Sequence, residues 1–225
     1  MSSGGRVRQD GTAKMLAEAY LRAPGGYIAF LDETYEVEQG TATFYLLSGV
    51  VAHRGSFGEL RAGLRDVVGT SYWHTTEKLR TPEGREQAVE VAQYLGDGPE
   101  VSLVALKRPL AVGDSAGDDA RAECFGKLGS ALCYGAAPLV AGVHLMILEK
   151  RRTQRDHAYD AKIVRDLRAS KTLCRVCQMK QVSPKDENLL WLPDIVSSAV
   201  RRRELGTDRG DSRMFDAIEG ALTML

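Results

Sequence analysis

The sequence carries no net charge: 30 basic residues balance 30 acidic ones. No global positive field therefore gathers nucleic acid, and any such contact must come from a local patch. Long hydrophobic runs are also missing. No stretch reaches the roughly 20 apolar residues that a membrane span requires. Residues 1–10 are small, polar and basic, without the apolar core of a signal peptide. A cytoplasmic location with no membrane partner is the expectation. Cysteine is scarce, at 4 residues. Only Cys174 and Cys177 form a CxxC spacing; Cys124 and Cys133 stand apart, and no second pair nearby completes a zinc pattern. Reduced thiols are the reading this favours. A glycine-rich phosphate loop, a serine nucleophile elbow and an HExxH motif are all absent, which removes the simplest signatures of NTPases, α/β-hydrolases and zinc proteases.

What is present suits an ordinary globular chain. The 225 residues are 44% hydrophobic, enough for one domain with a normal core. No internal repeat and no linker interrupts it. Residues 11–23 read as an N-terminal helix, stopped by Pro24-Gly25-Gly26. Residues 27–31 are a continuous apolar run, as expected of a strand covered on both faces. Residues 41–51 are rich in β-branched and aromatic side chains and read as its antiparallel neighbour. Helices follow at 56–68, 82–95, 118–134, 157–169 and 189–204, with further strands at 70–74, 100–107, 139–148 and 176–182. A closing helix is expected over 212–223. Strands come first and then alternate with helices, which predicts one mixed α/β sheet flanked by helices. The domain would span 1–225, with the helices at 11–23 and 212–223 as appendages.

Three carboxylates draw attention. Two apolar strands, one early and one late, finish in an acid: Leu31-Asp32 and Leu148-Glu149. In open α/β sheets, sites form just beyond the ends of central strands. The third, Asp194, shares a helical face with Trp191, Ile195 and Ser198, at the rim of a packing surface. A carboxylate there needs a compensating charge or hydrogen bond. Magnesium-type cations take one or two carboxylates plus water, leaving room for a phosphate oxygen. Each acid also has a plainer role: Asp32 opens a polar turn, Glu149 pairs with the basic residues after it, and Asp194 meets a helix dipole. Spacing alone does not decide between these.

At this point the sequence resembles a prokaryotic family known as domain of unknown function three-thousand-eight-hundred, which has a ribonuclease H-like fold and is associated with mobile elements. The family's opening Asp-Glu-Ser-Gly-like strand end is matched by Tyr27-Ile28-Ala29-Phe30-Leu31-Asp32-Glu33-Thr34. Its glycine-containing apolar strand is matched by Phe44 to Ala52 around Gly49, and its Glu-x-His-like element by Tyr72-Trp73-His74, with Glu77 close by. A strand ending in lysine matches residues 101–107, and a Gln-x-Ala-Asp-like helix start matches Leu190-Trp191-Leu192-Pro193-Asp194. Thr34-Tyr35 replaces Ser-Gly, Tyr72 stands where an acid is expected, Glu149 replaces Asp, and Pro193 replaces a small residue.

The resemblance implies a ribonuclease H-like mixed sheet and divalent-metal-dependent hydrolysis of phosphodiester bonds in DNA or RNA. Asp32, Glu149 and Asp194 would hold Mg2+ or Mn2+, His74 would handle a proton or contact phosphate, and Glu77 would stand in for the missing acid. The altered motifs point to an alternative: a catalytically degenerate module that binds nucleic acid, or a protein partner in a mobile-element or phage-related system. In that setting the closing helix would be an exposed docking element. Basic residues at Lys107-Arg108, Lys150-Arg151-Arg152, Arg155 and Arg201-Arg202-Arg203 are candidates to steer phosphate if they converge on the acids. Trp73 and Trp191 read as core residues before base-stacking ones, and His144 as a hydrogen-bonded structural histidine.

Overall fold

The computed structural model describes residues 3–36, 44–111, 113–114, 117–135, 142–151, 153–207 and 212–225, with side chains from residue 11 onward. The strands are β1 (Tyr27–Glu36), β2 (Phe44–His53), β3 (Val101–Lys107), β4 (Leu145–Glu149), β5 (Gln178–Val182) and β6 (Leu222–Met224). The helices are α1 (Ser3–Arg22), α2 (Phe57–Val68), α3 (Thr75–Lys78), α4 (Pro82–Gly96), α5 (Asp118–Tyr134), α6 (Gln154–Ala169), α7 (Trp191–Leu205) and α8 (Arg213–Glu219). Among the described residues, six strands form one sheet in the order β5-β4-β1-β2-β3-β6. Only β2 runs against the others: β1 and β3 pair with it antiparallel, while β4, β5 and β6 pair parallel to their neighbours.

Strand alternation sorts the side chains between two cores. Ile28 and Phe30 of β1, and Leu145 and Ile147 of β4, enter the core beneath α1, α2, α4, α7 and α8. Ala29 and Leu31, with Met146 and Leu148, enter the core beneath α5 and α6. Both faces of the central strands are therefore covered, which is why β2 reads as an unbroken apolar run with every residue but His53 buried. The same alternation carries Asp32 and Glu149 onto the α7 face and Glu33 onto the α5 face. Parallel pairing sets Leu31 against Leu148 and stops there, so the acids that follow are neighbours. Glu149 ends β4, whereas Asp32 lies inside β1, which runs on to Glu36 against β2 instead of turning at Asp32 as the sequence suggested.

Several expectations need correction. Residues 70–74 form a loop rather than a strand; Trp73 is buried there, but the segment leads into α3 instead of pairing. The late central strand begins at Leu145 rather than 139, with 142–144 outside any strand, although the Val143 N–H donates to the Leu132 carbonyl and the His144 carbonyl accepts from the Gln178 N–H; residues 139–141 lie outside the described residues, as do 41–43. The closing segment is not one helix over 212–223. It is α8 followed by β6, which pairs with β3. Met214 and Ile218 of α8 are buried, and a Cβ on Gly96 of α4 would meet the Ala217 carbonyl oxygen at 1.9 Å. This close packing contradicts an exposed docking helix.

Candidate active site

The C-terminal half of β1 and the end of β4 open into a cleft of about 340 Å3 lined by Asp32, Glu149, Asp194 and His74. Four of the five side chains expected to form the site are therefore brought together. Glu77 is not among the lining residues. It sits exposed on α3, and its carboxylate engages the Tyr72 hydroxyl.

Each acid is placed by its element. Asp32 continues the face of Ile28 and Phe30 past the point where the core ends. Glu149 is the exposed last residue of β4. Asp194 stands in the first turn of α7, where the helix dipole favours negative charge. Pro193 is tolerated beside it because the first N–H groups of a helix have no intrahelical acceptor to lose.

Polar side chains hold these acids in position. Thr75 donates both its backbone N–H and its hydroxyl to Asp194 Oδ2, each at 2.9 Å. The buried Trp73 Nε1 donates to Thr75 Oγ1 at 2.8 Å, fixing the hydroxyl's direction. The Asp194 Oδ1 atom takes no part in this pair. On β2, directly opposite Asp32, the buried Ser48 hydroxyl donates to the Pro193 carbonyl at 2.9 Å and lies 2.8 Å from Ser197 Oγ. Ser48 and Ser197 thus join the strand bearing Asp32 to the helix bearing Asp194.

The electrostatics are unfavourable for carboxylates alone. Burial, then the charges of Asp194 and Glu149, push the Asp32 carboxyl well above the usual carboxylate range, against a smaller pull from the Ser197 hydroxyl. Burial also raises Asp194, while the Thr75 hydrogen bonds and the nearby His74 oppose the rise. Two desolvated acids placed near each other in this way are relieved either by a proton or by a cation.

The set of donors fits such an ion: hard carboxylate oxygens open to a solvent-connected cleft. The acids do not converge on one point. Among the described residues, the one group of three metal-ligating side chains with donor atoms all within 4.8 Å of one another is Cys133, Cys174 and Cys177.

Lys185 and Arg201 also line the cleft. Arg201, one of the basic residues expected to steer phosphate, thus lies beside the acids and is also paired with Glu36. The other basic residues are mostly engaged elsewhere: Lys107 with Glu123 at 2.8 Å, Arg108 with Glu204 at 2.8 Å, and Arg203 over the Phe215 ring at 4.0 Å. Arg152 lies outside the described residues. Lys185 was not singled out in the sequence, where it falls in the turn 183–187. Trp73 and Trp191 are buried, as core residues.

Behind the cleft, Glu33 turns into a buried ionic cluster on the α5 face. Arg121, 1% exposed, donates to Asp160 at 2.8 Å and to Tyr45 at 2.7 Å and is paired with Glu33. Gln181 donates to the second Asp160 oxygen at 2.5 Å. Sequence spacing held no sign of this cluster, since its members come from β1, β2, α5, α6 and β5.

The antiparallel run β1-β2-β3, with β4 and β5 parallel to β1 on its other side and helices on both faces, is a ribonuclease H-like α/β fold. No protein-family model matches the chain, and no curated protein matches its sequence. Solved structures similar to it include Bst-RNase HIII in complex with Mn2+, at 12% identity over 85% of this chain and 57% of that one, TM-score 0.45. The ribonuclease H2 from Pyrococcus horikoshii OT3 is similar at 11% identity over 82% of this chain and 76% of that one, TM-score 0.46. A mutant form of Bst-RNase HIII aligns at 12% identity over 85% and 57%, TM-score 0.47. The chain thus spans little more than half the length of the ribonuclease HIII it aligns with, and these likenesses do not bear on the site's chemistry.

Proposed function

We propose that the cleft is the active site of a divalent-metal-dependent nuclease acting on DNA or RNA. The observation that carries this is the placing of Asp32 on β1 beside Glu149 at the end of the adjacent β4, with Asp194 from α7, all in one cleft that also presents His74, Lys185 and Arg201. Three acids held together against their mutual repulsion favour cation binding. When bound, Mg2+ or Mn2+ would polarise the phosphodiester and lower the pKa of the attacking water.

The chain's own residues do the rest. Asp32 and Asp194 hold the metal, with Glu149 completing the acidic wall. Thr75 and Ser197 keep the two aspartates in the required orientation. Lys185 and Arg201 receive the phosphate backbone at the rim. His74, exposed at the cleft mouth, exchanges a proton with the leaving or attacking oxygen.

Product chemistry tests this reading. Labelled DNA and RNA incubated with protein and Mn2+ or Mg2+ should give fragments ending in 3′-hydroxyl and 5′-phosphate, and none with chelator. A 2′,3′-cyclic phosphate, or product formed without metal, would overturn it. Salt-sensitive binding with no product under any metal would favour the non-cutting module instead.

A further inference from the structure

On the face of the sheet opposite the cleft, three cysteines far apart in sequence converge. Cys133 lies in the last turn of α5, and Cys174 and Cys177 flank a tight turn between α6 and β5, closed by the Cys177 N–H donating to the Cys174 carbonyl at 3.1 Å. The sulfurs all lie within 4.8 Å of one another. Cys133 Sγ stands 3.0 Å from Cys174 Sγ and accepts from the Cys174 backbone N–H at 3.5 Å. None of the three is in a disulfide, and Cys133 and Cys177 are buried.

A fourth group points to a ligand. His144 leads into β4, where its carbonyl accepts from the N–H of Gln178, the residue after Cys177, at 2.7 Å. Its ring nitrogens lie outside the 4.8 Å group formed by the three sulfurs, so ligation requires the ring to turn towards them. Its Nδ1 is buried and has no hydrogen-bond partner among the described residues. A buried ring nitrogen left unpaired costs free energy that coordination removes. This corrects the expectation of an ordinary hydrogen-bonded histidine. It also supplies the ligands that the CxxC spacing lacked in sequence.

We propose that Cys133, Cys174, Cys177 and His144 form a structural Zn2+ site. Three thiolates and an imidazole are a tetrahedral zinc set, and four protein ligands close the site to substrate. At a Zn–S distance of about 2.3 Å, tetrahedral sulfurs stand about 3.8 Å apart, so the Cys133–Cys174 pair, now at 3.0 Å, must open slightly and the His144 ring must approach the sulfurs. Zinc binding displaces the thiol protons to solvent and leaves the metal's oxidation state unchanged. The ion would tie together the end of α5, the turn before β5 and the entry to β4. The strand so anchored carries Glu149 at its other end.

The test is zinc content. Full-length protein purified under reducing conditions should hold about one zinc per chain by elemental analysis, and Cys177→Ser should hold none. Asp32→Asn should keep its zinc, which separates this site from the cleft. Cobalt exchanged into the wild type should show thiolate-to-cobalt charge transfer and the strong visible bands of a tetrahedral centre. If Cys177→Ser fails to fold, zinc released from wild type by a thiol-modifying reagent gives the same reading. His144→Ala should bind zinc at least about tenfold more weakly in a chelator competition; unchanged affinity would overturn its assignment as fourth ligand. Reduced, folded wild type that neither carries zinc nor takes it up to near one equivalent would overturn the site.

Discussion

At the scale of single residues, Asp32 joins strain to function. Its carboxyl lies above the usual range because burial and the neighbouring acids disfavour its charge. The sign follows from linkage: a group whose folded-state pKa is raised gives stability that is full at low pH and is lost as pH rises through the folded value. Metal-free protein should therefore weaken as pH climbs from the ordinary carboxylate range towards neutrality, and Mn2+ should reverse the loss. Asp32→Asn removes the charge, so in chelator at neutral pH it should melt higher than wild type and gain nothing from Mn2+. A lower melting point for the variant under chelator would contradict this account of the site. Thr75 makes a second case. Thr75→Val deletes one hydrogen bond to Asp194 and strands the Trp73 Nε1 donor. It should cost about 1–3 kcal/mol in urea unfolding and weaken Mn2+ binding about 10–100-fold in calorimetry, as loss of a partner orienting a metal ligand does.

Among the elements, β1 decides most. Its alternation sends Asp32 to the cleft and Glu33 to the ionic cluster around Arg121. Because Arg121 is buried between Asp160 and Glu33, Arg121→Ala leaves the buried Asp160 and the half-buried Glu33 with only the more distant Arg151 and should cost about 3 kcal/mol in denaturant unfolding. A loss under 1 kcal/mol would show that the cluster is not structural. The buried part of the strand was legible in sequence as an apolar run up to Leu31, but its end was not, because pairing with β2 carries it through Asp32-Glu33 to Glu36. Glu149 and Asp194 were legible, each closing or opening a strongly patterned segment. Ser48 was not: one serine inside the run from Phe44 to Ala52 reads as a weak strand residue until α7 is laid across it. Thr75 was hidden because residues 70–74 look like a strand, and its partner lies 119 positions away. The cysteine cluster escaped for a like reason, as Cys133 lies 41 positions upstream of Cys174, on another element.

For the whole molecule, the sequence conveyed the alternation of strands and helices but not the closing topology. Residues 212–223 are amphipathic enough to read as one helix, yet β6 becomes an edge strand against β3 because parallel pairing there satisfies backbone groups that a longer helix would leave β3 without. Deletion after Asp211 should therefore destabilise the whole chain, exposing Leu95 and the end of β3. Loss of the cooperative thermal transition checks it, whereas a truncated chain melting like wild type would show the end to be an appendage. The central claim is that the acids on β1 and at the end of β4, facing α7, cut nucleic acid with metal. The most direct measurement is Mn2+-dependent cleavage of labelled DNA and RNA by wild type beside Asp32→Asn, with circular dichroism on both. The account predicts cleavage by wild type and none by the equally folded variant; equal cleavage by the two would contradict it.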